Sequence, residues 1–447
     1  MNTVALGDLV LTNARIVLAN QVLEGSVRVD GGVITDIGSP SRTGVDLDGD
    51  YLLPGLVELH TDHLETHYAP RPKVRWNPVA AVQAHDAQIA ASGITTVFDA
   101  IRIGLDEQTD IGAEDMRILA RAISAGNDAG RLRADHHIHL RCEVSAPDCL
   151  DSFLAMKDDP LVRLASLMDH APGQRQFASV DAYKIYYQGK TKMTDAQLDE
   201  FSERRNRQSN TYAGKFRRSI AEICHEKGIV LASHDDATRA HVEEAEDLGL
   251  HIAEFPTTLE AARASRQAGM SILMGGPNVV RGGSHSGNVS ARALAEADLL
   301  DILSSDYIPF SMLQSAFSLA DNVESISLPK AMQLVTKRPA EAAGFTDRGE
   351  IEVGKRADFG MFASRTAFRS CSRSGARVAA SYERDFCRRR RPQWCGKRQS
   401  DRVRPGPPGS GRRCRFRPSR CDTAGRGHQR RPRQHGPRRF CRRRSAR

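Results

Sequence analysis

The 447 residues carry 64 Lys and Arg against 55 Asp and Glu, a formal net charge of +9. The charge is divided unevenly, because residues 361–447 hold 27 Arg and one Lys against four acids, whereas residues 1–360 are net −15. The basic total therefore does not by itself indicate a nucleic-acid-binding protein, since the larger, acidic part has the composition of an ordinary enzyme.

The cysteines and the hydropathy of the chain argue against a disulfide-rich, membrane-spanning or secreted protein. Three cysteines precede the basic stretch, and the six within it stand at irregular spacings. The three give no disulfide framework, and the six form no zinc-binding pattern. No apolar run is long enough to span a membrane, and residues 1–10 lack the features of a secretory signal. We expect a cytoplasmic protein without a membrane partner.

In chain order, residues 9–50 alternate apolar and polar positions between turns, which predicts short β-strands. Beyond them, apolar runs that end in polar residues alternate with stretches of helical periodicity. Predicted strands cover residues 94–98, 137–140, 164–168, 229–232, 271–274 and 300–303, and predicted helices cover 80–92, 115–126, 219–227, 241–248 and 258–269. This alternation predicts an α/β fold, a parallel (β/α)8 TIM-like barrel.

The domain organisation follows from these elements. The barrel is assigned to residues 53–330, and a small β-sandwich domain to residues 1–52 together with a helix and return strand at 331–359. A polar insertion at 184–218 is too long for a simple loop and predicts a lid or a pair of helices. Residues 360–447 are expected to be disordered and not catalytic.

Polar side chains follow the predicted barrel strands. His60 and Asp62 stand at i and i+2 at a strand end, where both side chains point the same way. Further predicted strand ends carry His137, His139, Arg141 and Glu143; Asp169 and His170; His234, Asp235 and Asp236; and Asp306. One polar strand end is weak evidence, but five on one barrel face predict a centre for one or two divalent metals. Asp306 is the predicted catalytic proton acceptor.

A glycine-rich segment, MGGPNVVRGGSHSGN at residues 274–288, contains Asn278, Arg281 and His285. Glycines let backbone amides approach an anion, and an arginine adds a fork of donors. An ordinary glycine-rich loop is the alternative. Arg141 and Lys184 are further basic residues near predicted strand ends. Within a net-acidic domain, such cations predict a polyanionic substrate.

These motifs resemble the amidohydrolase superfamily. The segment YLLPGLVELHTDHLE is similar to the first strand of that superfamily. The segments HLRCE, SLMDHAPGQRQF, LASHDDAT, PNVVRGGSHSGNVSA and LLDILSSDY are similar, in order, to its branch of alpha-D-ribose 1-methylphosphonate 5-triphosphate diphosphatases. The resemblance spans about residues 11–358. It implies metal-dependent hydrolysis of that 5-triphosphate to the 5-phosphate and diphosphate, a step of bacterial phosphonate catabolism that precedes carbon–phosphorus bond cleavage.

The resemblance also implies roles for residues. His170 and His234 match later histidine ligands by position, and Asp306 matches the final aspartate. The superfamily usually has two histidines where this chain has His60 and Asp62, and Glu143 is a candidate bridging ligand, with Lys184 as an alternative. The expected metal ligands are His60, Asp62, Glu143, His170, His234 and Asp306, and the expected substrate-binding residues are Arg141, Lys184, Asn278, Arg281 and His285. The expected metal is zinc, with manganese or iron as alternatives.

The expected partner is a phosphorylated sugar and not a nucleic acid, and homo-oligomerisation is left open. Two other functions compete with this interpretation. One is a different amidohydrolase reaction, such as amide or ester hydrolysis or deamination. The other is nucleic-acid binding through the basic stretch, without an enzyme activity.

The basic stretch departs from the branch, which has one more strand after GKRAD. Back-translation of residues from 361 onward in a shifted frame permits VRVSHGFPVLLQVWRTG, an apolar, strand-like segment similar to that ending. This supports the hypothesis that the reading frame slips near residue 360. A natural basic arm for nucleic acid or membrane and a disordered extension are the alternatives.

Overall fold

The computed structural model describes residues 9–41, 43–104, 111–175, 193–284 and 287–362. The chain begins with five strands of a small β-domain: β1 (Leu9–Val17), β2 (Val22–Asp30), β3 (Val33–Ile37), β4 (Val45–Asp46) and β5 (Tyr51–Pro54). The hairpin turn between β2 and β3 falls on two glycines with positive φ, Gly31 (58°) and Gly32 (84°), a conformation that glycine adopts without steric cost.

Eight parallel strands follow and pair in chain order. They are β6 (Leu56–Thr61), β7 (Ile94–Ile103), β8 (Asp135–Glu143), β9 (Val162–Met168), β10 (Val230–His234), β11 (Ile252–Glu254), β12 (Ser271–Gly275) and β13 (Ile302–Ser304). Beyond β13 the chain bridges back to the end of β6, with Asp306 N donating to His60 O (3.0 Å) and Asp62 N donating to Asp306 O (2.8 Å). These contacts nearly close the eight-stranded sheet into a barrel, which confirms the predicted fold class.

The described chain contains twelve helices, of which nine lie between barrel strands and three follow β13. They are α1 (Leu64–Tyr68), α2 (Pro78–Ala91), α3 (Ala113–Asp128), α4 (Cys149–Leu154), α5 (Asp195–Lys227), α6 (Arg239–Asp247), α7 (Leu259–Gln267), α8 (Gly276–Arg281), α9 (Ala291–Glu296), α10 (Ser311–Asn322), α11 (Leu328–Gln333) and α12 (Lys337–Ala342). None of them is both long and apolar enough to cross a membrane.

The final strand, β14 (Phe359–Phe362), returns to the small β-domain and pairs antiparallel with β5. Its Phe359 is buried in the apolar core of that domain. The described strands of the domain form one six-stranded sheet, with contributions from both sides of the barrel sequence. A small β-domain built from both ends of the enzyme portion is thus confirmed. The exact boundaries 1–52, 53–330 and 331–359 stay predictions.

The segment predicted as a lid or a pair of helices forms part of one long helix where the structure describes it. From Asp195 a single helix, α5, runs through to Lys227 and absorbs the separately predicted helix at 219–227. Thr194 caps its N-terminus by accepting a hydrogen bond from Gln197 N, and Gly228 ends it with a left-handed φ of 67°. The segment contains no proline, so nothing in its backbone breaks the helix.

The barrel interior is filled by apolar side chains from seven of its eight strands, which pack against Phe345 and the end of α12. The eighth strand, β8, contributes His137, whose ring lies 5.1 Å from Phe98 and 5.3 Å from Phe345. His137 therefore belongs to the interior packing and not to the polar strand ends. The opposite, C-terminal end of the barrel is left for polar residues.

Candidate active site

Closure of the barrel brings three predicted metal ligands together. His60 and Asp62 stand at the end of β6, and Asp306 follows β13. The two backbone hydrogen bonds between these segments hold them side by side. One ligand atom from each residue lies within 4.8 Å of the others, which is close enough to share one ion after small side-chain movements. His60, Asp62 and Asp306 form the first cluster.

A second cluster consists of His170, His234 and Asp235, whose ligand atoms also lie within 4.8 Å of one another. His234 ends β10, and His170 follows β9, its neighbour in the barrel. The Asp235 Oδ2 atom lies 3.7 Å from His170 Nε2 and 3.5 Å from His234 Nε2. It is buried without a hydrogen-bond partner in the described structure, as expected for an oxygen that a cation would bind.

Glu254, the last residue of β11, connects the two clusters. Its Oε1 lies 3.2 Å from His60 Nδ1, and its Oε2 lies 3.1 Å from His234 Nδ1. The carboxyl is fully buried, yet the charge of His60 keeps the pKa of Glu254 well below its usual value. Because Glu254 occupies both Nδ1 atoms, the Nε2 atoms are left for a metal, the usual arrangement of metal-binding histidines.

Glu143, a predicted metal ligand, lies against His170. Its Oε2 is 2.5 Å from His170 Nδ1, and its Oε1 accepts hydrogen bonds from Ser145 Oγ (2.5 Å), His170 N (3.1 Å) and Arg205 Nη2 (3.0 Å). Although burial opposes protonation of His170, the Glu143 carboxylate raises the pKa of His170 to about 9. A metal that binds His170 must therefore displace a proton.

Asp62 is shared between the first cluster and Arg141. The Arg141 Nη1 donates to both carboxylate oxygens of Asp62, at 2.6 and 2.5 Å. Although burial works against it, this guanidinium lowers the pKa of Asp62 to about 2. Asp306 behaves in the opposite way, because burial and the charge of Asp62 raise its pKa to about 6. One ionised carboxylate and one carboxyl that titrates near neutrality thus stand together.

Both clusters open into a cavity of about 390 Å³. Four arginines line it: Arg102 from β7, Arg141 from β8, Arg205 from α5 and Arg281 from α8. The glycine-rich segment contributes the wall on one side, where Asn278 accepts a hydrogen bond from Ala291 N (2.9 Å) and so ties α8 to α9. Arginine guanidinium groups around a concave site favour a ligand with several negative charges.

Most of the predicted site residues lie together around this cavity. His60, Asp62, Glu143, His170, His234 and Asp306 all line the cavity, as do Arg141, Asn278 and Arg281. Lys184 and His285 lie outside the described residues. His139, which stood among the polar strand ends, has both ring nitrogens engaged, by Leu59 O and Ser166 Oγ, each at 2.9 Å. The roles of the individual residues stay predictions.

Sequence reasoning missed Glu254, Arg102 and Arg205 as site residues, and it named Asp235 among the polar strand ends without including it in the ligand set. Glu254 is a single acid after a three-residue strand, and Arg205 is one of many charges in a polar helix. Asp235 follows the predicted ligand His234 directly, so its proximity was a usable signal. Backbone geometry gives another, because Asp235, Phe255 and Asp306 all have left-handed φ values of 53–57°. Such conformations in residues other than glycine concentrate at functional sites.

Comparison with known proteins identifies two sequence matches. A profile of the amidohydrolase family matches residues 163–378. The Alpha-D-ribose 1-methylphosphonate 5-triphosphate diphosphatase of Escherichia coli strain K12 is 49% identical over 354 residues, which cover 78% of this chain and 94% of that protein.

Solved structures share the fold at low identity. A putative prolidase from Bifidobacterium longum has a TM-score of 0.54 and 17% identity, with 82% of this chain and 91% of that chain covered. A Xaa-Pro dipeptidase has a TM-score of 0.56 and 15% identity, with 80% and 95% covered. The chain belongs to the amidohydrolase family, in the branch that contains the Escherichia coli diphosphatase.

Proposed function

We propose that this protein hydrolyses alpha-D-ribose 1-methylphosphonate 5-triphosphate to the corresponding 5-phosphate and diphosphate. The observation that carries the proposal is that Glu254 joins two histidine–carboxylate clusters, whose residues line a cavity together with four arginines of the described chain. The name of the Escherichia coli relative supplies the substrate. A triphosphate presents the dense negative charge that such a cavity favours.

The donor atoms suit a divalent metal, and we infer zinc. His60, Asp62 and Asp306 would hold one ion, and His170, His234 and Asp235 a second, because imidazole and carboxylate ligands are those that zinc prefers. The unpartnered Asp235 oxygen supports this fit. A divalent metal at such a site polarises a phosphoryl oxygen and makes a water molecule more acidic. Glu143 is proposed to hold His170 in position, since its Oε2 lies 2.5 Å from His170 Nδ1 and leaves His170 Nε2 for the metal.

Asp306 is proposed to take the proton of the attacking water. Asp306 stands beside His60 and Asp62 in the first cluster, and in the metal-free protein burial and the charge of Asp62 raise its pKa to about 6. The water oxygen forms a bond to the α-phosphorus, and the bond from that phosphorus to the bridging oxygen of the β-phosphate breaks. The proton passes to an Asp306 oxygen, and diphosphate leaves with the bridging oxygen.

The arginines are proposed to stabilise the charge that develops on the departing diphosphate. Arg141 is oriented by Asp62 and Arg205 by Glu143, so these guanidinium groups are held in place before the substrate arrives. Donors fixed in advance need little reorganisation during the reaction. Arg281 is the last residue of α8, within the glycine-rich segment, and would contact the outer phosphates.

Product analysis tests the proposal. The zinc-loaded protein is given the 5-triphosphate, and diphosphate and orthophosphate are measured separately, with dipeptide and N-acyl substrates in parallel. Diphosphate and the sugar 5-phosphate in equal amounts are expected. Release of orthophosphate alone, or hydrolysis of amides without hydrolysis of the triphosphate, would overturn the proposal in favour of another reaction of this family.

Cellular location is the remaining part of the proposal. The cysteines in the described part of the chain, Cys142, Cys149 and Cys224, are free and buried. Free thiols fit a reducing compartment, which supports a cytoplasmic enzyme.

A further inference from the structure

A separate group of histidines lies away from the residues that line the cavity. His63 precedes α1, His67 lies within it, and His85 lies in α2. Their ring centroids are 4.9 Å apart for His63 and His67, 5.8 Å for His63 and His85, and 6.1 Å for His67 and His85. One ring nitrogen from each residue lies within 4.8 Å of the other two.

Each of these histidines has a buried ring nitrogen without a partner. Within the described chain, His63 Nδ1, His67 Nε2 and His85 Nδ1 are buried and make no hydrogen bond. A buried polar atom left unpaired costs about 1–3 kcal/mol, so such atoms are rare in folded proteins. Three of them on neighbouring side chains indicate that something absent from the protein chain itself satisfies them together.

The surroundings of His85 point to a metal. His85 Nε2 lies 2.8 Å from Asp99 Oδ1, and the other oxygen of this fully buried carboxylate lies 2.7 Å from His136 Nδ1. A carboxylate that binds one ring nitrogen fixes the orientation of the imidazole and leaves the second nitrogen as a ligand. The carboxylate–histidine pair found behind many metal ligands is therefore present before any metal binds.

We propose that His63, His67 and His85 bind a structural zinc ion, distinct from the catalytic centre, through one ring nitrogen each. Tetrahedral zinc with bonds of about 2.0–2.1 Å requires ligand nitrogens about 3.3 Å apart. The present spacing of up to 4.8 Å closes to this value with side-chain movements of about 1 Å. His63 and His67 are only half-buried, so a water molecule can reach the fourth position.

The position of the site suggests what the ion does. Helix α1 follows directly after Asp62, and α2 packs beside α1. A zinc ion shared by His63, His67 and His85 therefore ties the segment that carries Asp62 to a longer helix. Helix α1 has five residues, too few to be stable on its own. The ion supplies the cross-link that holds this short helix in place.

Zinc stoichiometry tests the proposal. The full-length protein is stripped with a chelator, and the number of tightly bound zinc ions is measured by competition with a chromophoric chelator. We expect wild type to bind one zinc ion more than His67→Gln. The matched control is His137→Gln, which removes a buried histidine whose ring nitrogens also lack hydrogen-bond partners but which lies in the barrel interior. It should bind as many ions as wild type.

Equal zinc stoichiometry in wild type and His67→Gln would overturn the proposal. Circular dichroism shows whether each variant is folded. Independently of any variant, crystals of the zinc-loaded wild type should give an anomalous difference peak among the three imidazoles at the zinc edge, and the absence of this peak would also refute the site. Asp99→Asn should retain the site but weaken its zinc affinity by roughly 10–100-fold, because Asp99 only positions His85.

The inference does not depend on the proposed reaction. If the 5-triphosphate were not a substrate, the additional zinc ion would still be counted. If the additional ion were absent, diphosphate release at the catalytic centre could still occur.

Discussion

At the scale of single residues, Glu254 is the connection on which the catalytic centre depends. It reaches a histidine from β6 and a histidine from β10, strands that are not neighbours in the barrel. One buried carboxylate thus fixes the orientation of two imidazoles. Partners of this kind behind the ligands contribute strongly to metal affinity.

Glu254→Gln should weaken zinc binding at the catalytic centre by about 10–100-fold, because an amide cannot accept a hydrogen bond from both imidazoles. Competition with a chelator of known affinity measures the change. Glu260→Gln, an exposed position in α7, is the control. Unchanged affinity in Glu254→Gln would show that the carboxylate is not needed to orient the histidines.

Asp306→Asn should reduce kcat by about 10²–10⁴-fold, the range typical of losing a general base. Asp301→Asn is the matched control, since Asp301 stands at the other end of the same strand segment and binds Ile272 N and Arg266. Turnover is compared per mole of folded protein for both variants. Activity that survives Asp306→Asn within a factor of two would remove this carboxylate from the mechanism.

A site at the strand ends could be predicted because a parallel barrel places the C-terminal ends of all its strands on one face. The positions of His60, His234 and Asp306 follow from the rule that parallel barrel strands end on one face. Arg205 could not be found in this way, because it reaches Glu143 from a long helix outside the barrel. His137 shows the opposite error, since it was counted among the polar strand ends but its ring packs against Phe98 and Phe345 in the barrel interior.

At the scale of elements, an ion-pair cluster attaches the chain segment after α12 to the barrel. Asp135, at the start of β8, accepts hydrogen bonds from Arg348 (2.7 Å) and Arg356 (2.9 Å). Arg348 also stacks on Phe345, with its guanidinium carbon 4.0 Å from the ring centroid. The segment that leads from the barrel back to the small β-domain is fixed by these contacts.

Asp135→Asn should lower the free energy of unfolding by about 1 kcal/mol at pH 7. Burial alone would raise the pKa of Asp135, but the hydrogen bond from Arg348 lowers this pKa to about 2. The resulting contribution to stability is reduced by solvent screening, because the Asp135 side chain is 36% exposed. A lowered pKa stabilises the folded state above the unfolded pKa of 3.8, and this contribution is lost as the pH falls through about 2. Urea unfolding at several pH values should show the difference between variant and wild type shrinking below pH 4.

The control for this experiment is Asp151→Asn, an exposed aspartate in α4. Its unfolding free energy should match wild type at every pH. A difference between Asp135→Asn and wild type that stays constant with pH would contradict the electrostatic explanation.

Most elements were predictable because the alternation of buried strands and amphipathic helices is written locally in the sequence. The helix predicted at 219–227 is the C-terminal part of α5, which starts earlier because the buried face of its first half includes polar residues, Arg205 and Ser209, and so lacks a clear apolar periodicity. From the sequence, only the number of alternating strands and helices indicated that the sheet forms a barrel. The hydrogen bonds that complete it depend on the left-handed φ of Asp306, which no sequence pattern specifies.

At the scale of the whole molecule, the two signs of charge belong to different parts of the chain. Residues 1–360 are net −15 and contain the barrel, and four arginines are among the described residues that line its cavity. The Escherichia coli relative matches over 94% of its own length but only 78% of this chain. This difference supports the hypothesis that the basic stretch is not part of the enzyme.

The frame-slip hypothesis makes a prediction about the coding DNA. Resequencing should reveal that adding or removing one base near codon 360 restores a frame that encodes the apolar strand expected after GKRAD. A coding sequence without such a frame would refute the hypothesis. The nucleic-acid alternative would then gain support if the full-length protein bound DNA in a salt-sensitive manner and a chain ending at Phe362 did not.

We propose that water attacks the α-phosphorus of the 5-triphosphate in the arginine-lined cavity. Hydrolysis in ¹⁸O-labelled water, followed by ³¹P NMR of the products, tests it most directly. The account predicts one ¹⁸O atom in the sugar 5-phosphate and none in the diphosphate. Label in the diphosphate, or release of labelled orthophosphate, would contradict it.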